Sequence, residues 1–216
     1  MSIAKAVVFD GANQRQLQSG DVLAGAEVIP AATTGTAITL GAADLAKGIY
    51  LGNPSGAATY TFDSAANIIA GLLAGIGSTG FQPGTTFRFR IINANGTNAI
   101  TPAVTANTGM TINRANTVAV NTSREFLISI VNGTPVQTIA GMTTNASAVV
   151  SGFTQAQLQS LTIGMIVTNS VNGLQGTTII GINIAAGTVT LSGNANATSS
   201  TPVSITFSPV ITVDGF

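Results

Sequence analysis

The chain lacks the residues on which most small catalytic and metal sites depend. It contains no Cys, no His and no Trp among its 216 residues. The absence of Cys excludes disulfides, thiolate metal sites and Cys nucleophiles. The absence of His removes the commonest general base and the commonest metal ligand. We therefore expect no cofactor, no metal site and no catalytic site, and a protein that is not an enzyme.

Charged residues are scarce as well. Charged residues make up 6% of the chain, whereas about 25% is usual. Seven acidic residues balance seven basic ones, and the stretch from Phe126 to Val213 contains none of either. The basic residues are scattered, so we expect no nucleic-acid partner. A neutral surface does not repel its own copies, which favours a protein that works within an assembly.

Long hydrophobic runs are missing as well. The densest apolar stretch runs from Ala65 to Ile76 and is interrupted by Asn67, Gly71 and Gly75. It is shorter than the roughly 20 residues that a membrane-spanning helix needs. We expect no membrane partner, although a membrane-inserting segment is the alternative for this stretch. No Lys- or Arg-led signal peptide is recognisable either.

Alternating apolar residues are abundant and predict strands with one buried face. In the stretch from Gly84 to Asn93, aromatic and aliphatic residues alternate with polar ones, and the inward set is Phe87, Phe89 and Ile91. A second run predicts a strand of the same core through Phe126, Ile128 and Ile130. Arg88 and Arg90 share the other face of the first strand. We regard them as candidates for a contact between subunits, and a simply solvated pair is the alternative.

Turn and cap signals divide the remaining sequence. Asn95-Gly96 and Asn132-Gly133 follow the two strands and predict tight hairpins. Residues 63–77 predict a helix, because large aliphatic residues recur at Ile68, Leu72 and Ile76 and because Asp63 or Ser64 can cap its first turn. Asp44 predicts the cap of a single helical turn that ends at Gly48.

The composition changes along the chain and indicates four regions. Residues 1–30 are poor in large apolar side chains and predict an N-terminal arm that is ordered on a partner. Residues 31–140 predict a β-sandwich domain, residues 141–208 a small β-domain, and residues 209–216 a C-terminal tail. Within the arm, the charged residues are the anchoring candidates, namely Asp10, Arg15, Asp21 and Glu27. Their spacing matches no cation-binding loop.

The predicted fold class is therefore all-β. A β-sandwich or jelly-roll-like domain with one short helix is followed by a small β-barrel-like domain, because short strands alternate with Gly- and Asn-rich turns. At roughly 65 residues, the second domain is near the lower size limit for independent folding. Packing against its neighbour or against copies of itself would support it.

Several segments resemble a domain that is common in virion proteins of tailed bacteriophages. They are Phe62-Asp-Ser-Ala-Ala-Asn-Ile-Ile-Ala, Pro83-Gly-Thr-Thr-Phe-Arg-Phe-Arg-Ile-Ile-Asn93, Gly109-Met-Thr-Ile and Asn121-Thr-Ser-Arg-Glu-Phe-Leu. The second unit is similar to small β-modules of phage structural proteins through Ile163-Gly-Met-Ile-Val167, Gly176-Thr-Thr-Ile-Ile180 and Gly187-Thr-Val-Thr-Leu-Ser192. Arg15-Gln-Leu-Gln-Ser-Gly-Asp21 also looks like phage virion N-termini.

This resemblance implies a structural component of a virion. The leading hypothesis is a capsid decoration (cement) protein, a homotrimer made in the host cytoplasm that binds the major capsid protein or another virion protein on the outer capsid surface and stabilises the head. One alternative is a fibre or receptor-binding protein of the head, neck or tail. A second is a secreted adhesin-like binding module, against which the absence of a signal peptide and the presence of only Tyr50 and Tyr60 for sugar stacking argue.

Overall fold

The computed structural model describes residues 7–10, 13–16, 31–76, 80–114 and 117–216. In these residues the chain is built mainly of short β-strands, with three short α-helices and one 3-10 turn. The all-β class predicted from the alternating sequence patterns is confirmed. None of the sheets formed by the described residues closes into a barrel.

Most strands of the first unit form two sheets. The larger sheet has the order β4-β6-β9-β16-β8 and the smaller one the order β3-β5-β7. The strand bounds are β3 Ala37–Leu40, β4 Ile49–Gly52, β5 Ala58–Phe62, β6 Thr86–Asn93, β7 Ile100–Val104, β8 Met110–Arg114, β9 Thr122–Asn132 and β16 Val210–Gly215. A separate pair, β1 Val7–Asp10 and β2 Asn13–Gln16, is antiparallel.

Successive strands from β3 to β8 alternate between the two sheets. Because the chain crosses to the other layer after each strand, it returns to the first layer running in its original direction. As a result, β5 lies parallel to both β3 and β7, and β4 lies parallel to β6. A jelly roll has antiparallel neighbours throughout, so the pairing within these two layers departs from that detail of the prediction.

The two Asn-Gly signals do not form the predicted hairpins. The loop at Asn95 carries the chain from β6 in one sheet to β7 in the other. The carboxamide oxygen of Asn95 accepts hydrogen bonds from the N–H groups of Thr97 and Asn98, at 2.8 and 2.6 Å. This side-chain turn provides the reversal that a tight backbone turn would otherwise give. Asn132 likewise ends β9 where the chain leaves the first unit.

Two helices pack against the core of the first unit. They are α1 (Ala42–Ala46) and α2 (Ala65–Ile76). The Ser64 hydroxyl accepts from the N–H of Asn67 at 3.2 Å, and the Asp63 carboxylate accepts from the N–H of Ser64 at 2.6 Å. The Asp44 carboxylate accepts from the N–H of Gly41 at 3.2 Å. The helix predicted at 63–77 and its polar cap are therefore confirmed. The short helix is confirmed as well, but it begins at Ala42 rather than at Asp44, and Asp44 is its third residue and bonds back to the N–H of Gly41.

The two alternating runs form the centre of the first core, as predicted. Phe89 and Ile91 of β6 are fully buried, and Phe87 packs on the cluster from a half-buried position. The three inward residues of β9 are fully buried as well, namely Phe126, Ile128 and Ile130. Phe62 meets the rings of Phe89 and Phe126 edge-to-face, with ring centres 6.2 and 6.0 Å away. Such pairs stabilise a core beyond the area they bury.

Residues 209–216, predicted as a tail, supply an interior strand of the larger sheet. β16 lies between β9, to which it is antiparallel, and β8, to which it is parallel. Its residues Ile211 and Val213 are fully buried in the first core. The second unit is thus inserted between two neighbouring strands of the first, because the chain leaves at Asn132 and returns at Val210.

The second unit has its own core and two three-stranded sheets, β10-β15-β12 and β11-β14-β13. Its elements are β10 Gln137–Gly141, β11 Val149–Val150, α3 Gln155–Gln159, β12 Ile166–Val167, a 3-10 turn Val171–Gly173, β13 Ile179–Asn183, β14 Thr188–Leu191 and β15 Val203–Ser208. Both β10 and β12 pair with β15. The proposed boundary at residue 140 therefore falls inside a strand of this unit.

The helices of the described residues are all short. None of them has the length and hydropathy needed to cross a membrane.

Candidate interaction surface

A cluster of three charged side chains lies on the exposed face of β6 and β9. Arg90 stands opposite Glu125 in the antiparallel register of these strands. Arg88 donates from Nη1 to Oε1 of Glu125, and Arg90 Nη2 lies 3.4 Å from Oε2 of the same carboxylate. One carboxylate therefore contacts two guanidinium groups, and the group of three carries a net positive charge.

Arg88 and Arg90 share one face, as their spacing in the sequence predicts, but the sequence did not indicate their partner Glu125. Neighbouring residues of a strand point to opposite faces, so Arg124 and Glu125 do so on β9. Only Glu125 lies on the face that carries Arg88 and Arg90. Which residues of two strands face each other depends on their register, and the local sequence does not specify it here. A contact of these arginines with another subunit stays a prediction.

The ion pairs themselves add little stability. The Arg88 side chain is 72% exposed, whereas that of Glu125 is 22% exposed. Exposed pairs of this kind contribute about 0–1 kcal/mol, because water screens the attraction and two long side chains must be ordered. Their role is better understood as holding two guanidinium groups at fixed positions on the sheet.

The first half of β6 has an open edge on the side away from β9. Strand β4 begins at Ile49, which lies opposite Arg90, so it flanks only the second half of β6. The N–H of Arg90 donates to the carbonyl of Gly48 at 2.8 Å. Residues of a strand alternate in the edge to which their backbone groups point. The N–H and C=O groups of Thr86 and Arg88 therefore point to the same side as Arg90, where no described strand pairs with them.

An apolar cavity of about 510 Å³ adjoins this open edge. Its walls come from α1, from the end of α2, and from the chain leading into β6. The apolar side chains that line it are Leu45, Leu72, Ile76, Phe81 and Phe87. Lys47 and Arg88 also line it, and none of the lining residues that the structure describes is a carboxylate. Ile76 is 63% exposed, which makes it one of the most exposed large apolar residues of the described chain.

A second groove of about 550 Å³ continues from the cavity between α1 and α2. The two share Ala46, Leu72 and Ile76 as walls. The helices approach so closely here that a Cβ atom built on Gly71 would lie only 2.5 Å from Cβ of Ala42. A glycine at this position permits the contact between the helices that shapes both hollows.

Two of the four anchoring candidates of the arm lie within the described residues and two lie outside them. Asp10 is the last residue of β1, and Arg15 lies in β2 opposite Val8. Asp21 and Glu27 fall outside the described residues. Among the residues that are described, no three His, Cys, Asp or Glu side chains come together as a possible metal site.

Comparisons with known proteins identified no relative of this chain. No protein-family model matches the chain, and neither curated proteins nor solved structures gave a match.

Proposed function

We propose that the chain is a non-enzymatic structural protein of a tailed-bacteriophage virion, and that it decorates the outer surface of the capsid. The observation that carries the proposal is the insertion of the second unit between β9 and β16. A unit held through both of its ends by interior strands of another domain is well placed to be displayed by that domain. The motifs that resemble phage virion proteins give the biological setting.

The distribution of charge supports this division of roles. Glu125 and the two arginines of β6 lie in the first unit, whereas the inserted unit lies wholly within the uncharged stretch from Phe126 to Val213. Charged groups fix orientation at an interface more than they add affinity. We propose that the first unit and the N-terminal arm bind the major capsid protein or another virion protein, and that the neutral second unit faces outward.

Self-association is part of the same proposal. A homotrimer would multiply weak contacts of each arm with the shell through effective concentration. Sedimentation-velocity measurements on the purified protein test the oligomeric state, and a monomer at all accessible concentrations would contradict it.

Copy number in purified particles is the decisive test of the role. Quantitative mass spectrometry of virions should give as many copies as a decoration protein needs to cover the shell, on the scale of the major capsid protein. A chain absent from purified virions would overturn the virion proposal.

A few copies in each particle would instead favour a fibre or receptor-binding protein. Exposed apolar side chains on the inserted unit are compatible with that alternative, and they include Ile163, Ile180 and Val149.

The contribution of the arm is tested by removing residues 2–26. The shortened protein and the intact protein are mixed with undecorated particles and sedimented. We expect the shortened protein to stay in the supernatant. Co-sedimentation equal to that of the intact protein would move the anchor to another part of the chain.

A further inference from the structure

We propose that the open edge of β6 and the adjoining apolar cavity form a binding site for an extended, acidic segment of a partner protein. The segment would add a strand beside Thr86–Phe89 and place one large apolar side chain in the cavity. This site does not depend on the virion role, so the proposal stands whether or not the proposed function is correct.

The backbone supplies the first part of the site. Thr86 and Arg88 are exposed, and their N–H and C=O groups point away from β9 at a place where β4 has not yet begun. An unpaired row of donors and acceptors is a template for another strand. Peptides that add to a sheet edge obtain their affinity from such main-chain bonds and their specificity from pockets for alternate side chains.

The cavity supplies the pocket. It begins beside the open edge, since Thr86, Phe87 and Arg88 of β6 form one of its walls. Leu72 and Ile76 of α2 form another wall. A volume of about 510 Å³ is within the range of about 300–1,000 Å³ that ligand pockets occupy. It can therefore take a Phe, Leu or Met side chain of the added strand.

The charges at the rim indicate what flanks that side chain. Of the described residues, Lys47 and Arg88 line the cavity and no acidic residue does. Nζ of Lys47 lies 3.4 Å from Oδ1 of Asp44, and Arg88 is bonded to Glu125, so each cation has a carboxylate partner that favours one position. A guanidinium group has five N–H donors, and Arg88 can therefore bond a second carboxylate. Counting Arg90, three cations face two carboxylates here, so an acidic residue next to the apolar one fits this rim better than a basic one.

The site is short, and this sets the expected strength of binding. Four residues of strand extend about 13 Å at 3.3 Å per residue. A few main-chain bonds and one buried side chain give weak binding, which becomes firm when several sites act together. The site is thus suited to a protein that meets its partner through repeated copies.

The proposal is tested with the intact protein and the synthetic peptide acetyl-Asp-Thr-Phe-Thr-Val-Thr-Asp-amide. In a ¹⁵N-labelled sample, we expect millimolar peptide to shift the amide signals of Thr86 and Arg88 and to slow their hydrogen exchange. Amides of the inserted unit should not change. Absence of any change at Thr86 and Arg88 at the solubility limit of the peptide would overturn the proposal.

Peptide variants separate strand addition from simple side-chain binding. The same peptide N-methylated throughout keeps every side chain but cannot donate main-chain hydrogen bonds, so its binding should be lost. A version with Lys in place of both Asp residues should also fail. Equal binding of either variant would contradict the proposal.

Two pairs of protein variants complete the test. Ile76→Ser and Arg88→Gln should each weaken binding by roughly tenfold. The matched controls Ile184→Ser and Arg114→Gln alter exposed residues outside the cavity and should bind as the parent does. Equal losses in variants and controls would mean that the peptide binds elsewhere. If Thr86 and Arg88 become protected as the protein concentration rises without peptide, a second copy occupies the edge and the proposed partner is wrong.

Discussion

Val210, the first residue of β16, lies directly opposite Asn132, the last residue of β9. The 77 residues between them, 133–209, include the whole inserted unit. Two neighbouring strands of one sheet are therefore separated in sequence by a second domain. This relationship decides how the protein can be divided.

We predict that the two units can be separated by excision but not by truncation. Replacing residues 133–209 with an Asn-Gly dipeptide leaves β9 and β16 as a two-residue hairpin, for which this dipeptide is well suited. Circular dichroism should detect a cooperatively unfolding β-protein. Truncation after residue 142 removes Ile211 and Val213 from the first core and should give a chain that does not fold. A truncated chain with cooperative unfolding would show that β16 is dispensable.

Gly71 and Gly75 of α2 make a matched pair of substitutions. Alanine is favoured over glycine in a helix by about 1 kcal/mol. A Cβ at Gly71 would lie 2.5 Å from Cβ of Ala42, whereas a Cβ at Gly75 would meet no atom of the described residues within 4 Å. We therefore expect Gly71→Ala to lower the melting temperature, because the two helices must move apart. Gly75→Ala should leave it unchanged or raise it. Equal effects in a thermal scan would contradict the close helix contact.

The aromatic cluster of the first core should be sensitive to truncation of Phe89. This ring is fully buried and contacts Phe62 edge-to-face. Phe89→Ala should lower the free energy of unfolding by about 3–5 kcal/mol, from lost burial and from the cavity left behind. Phe216→Ala is the control, since that ring is 55% exposed. Urea denaturation measures both, and a small loss for Phe89→Ala would place the ring outside the core.

Tyr60 offers a substitution that should not destabilise the protein. Its hydroxyl oxygen is buried and makes no hydrogen bond with the described part of the chain. A buried polar group without a partner costs free energy, so Tyr60→Phe should keep or raise stability at neutral pH, by up to about 1 kcal/mol. Tyr50→Phe is the contrasting variant, because the Tyr50 hydroxyl bonds to Oγ1 of Thr33 at 3.2 Å. Urea denaturation of both variants measures the difference, and marked destabilisation by Tyr60→Phe would indicate a partner for the hydroxyl.

The same residue should govern part of the alkaline behaviour. Burial, and secondarily the nearby Tyr50, raises the pKa of Tyr60 above its ordinary value of 10.0. The unfolded chain therefore loses this proton at a lower pH than the folded chain does. Ionisation of this hydroxyl therefore leaves the free energy of unfolding unchanged well below pH 10.0 and lowers it as the pH rises from there through the folded pKa. Unfolding free energies measured across this range should fall less steeply in Tyr60→Phe than in the parent, and equal slopes would contradict the assignment.

Elements whose sequence signals are local could be predicted from the sequence. Phe89 and Ile128 belong to strands with one buried face. Along any such strand every second side chain points to the buried face, whichever strand lies beside it. The cap of α2 was predictable because Asp63 and Ser64 act on N–H groups within four residues of themselves. These patterns describe a segment and its immediate neighbours.

The remaining features depend on contacts between distant segments. Ile211 and Val213 alternate with polar residues, but nothing in six residues indicates that their neighbours are β9 and β8. The same holds for Glu125, which meets Arg88 only through the register of two strands. The open edge of β6 follows from where β4 begins, and the cavity beside it needs two helices at the correct distance.

The insertion also imposes an order on biosynthesis. Synthesis proceeds from the N-terminus, so β16 leaves the ribosome only after all 77 residues of 133–209 have been made. At about 5–20 residues per second, β9 then waits on the order of several seconds for its neighbour. During that interval the inserted unit can fold, while the larger sheet still exposes the sides of β9 and β8 that β16 will cover. A chain interrupted before residue 210 keeps these strand edges open. Such edges can pair with other chains, so chaperones and proteases are expected to act on it before it assembles.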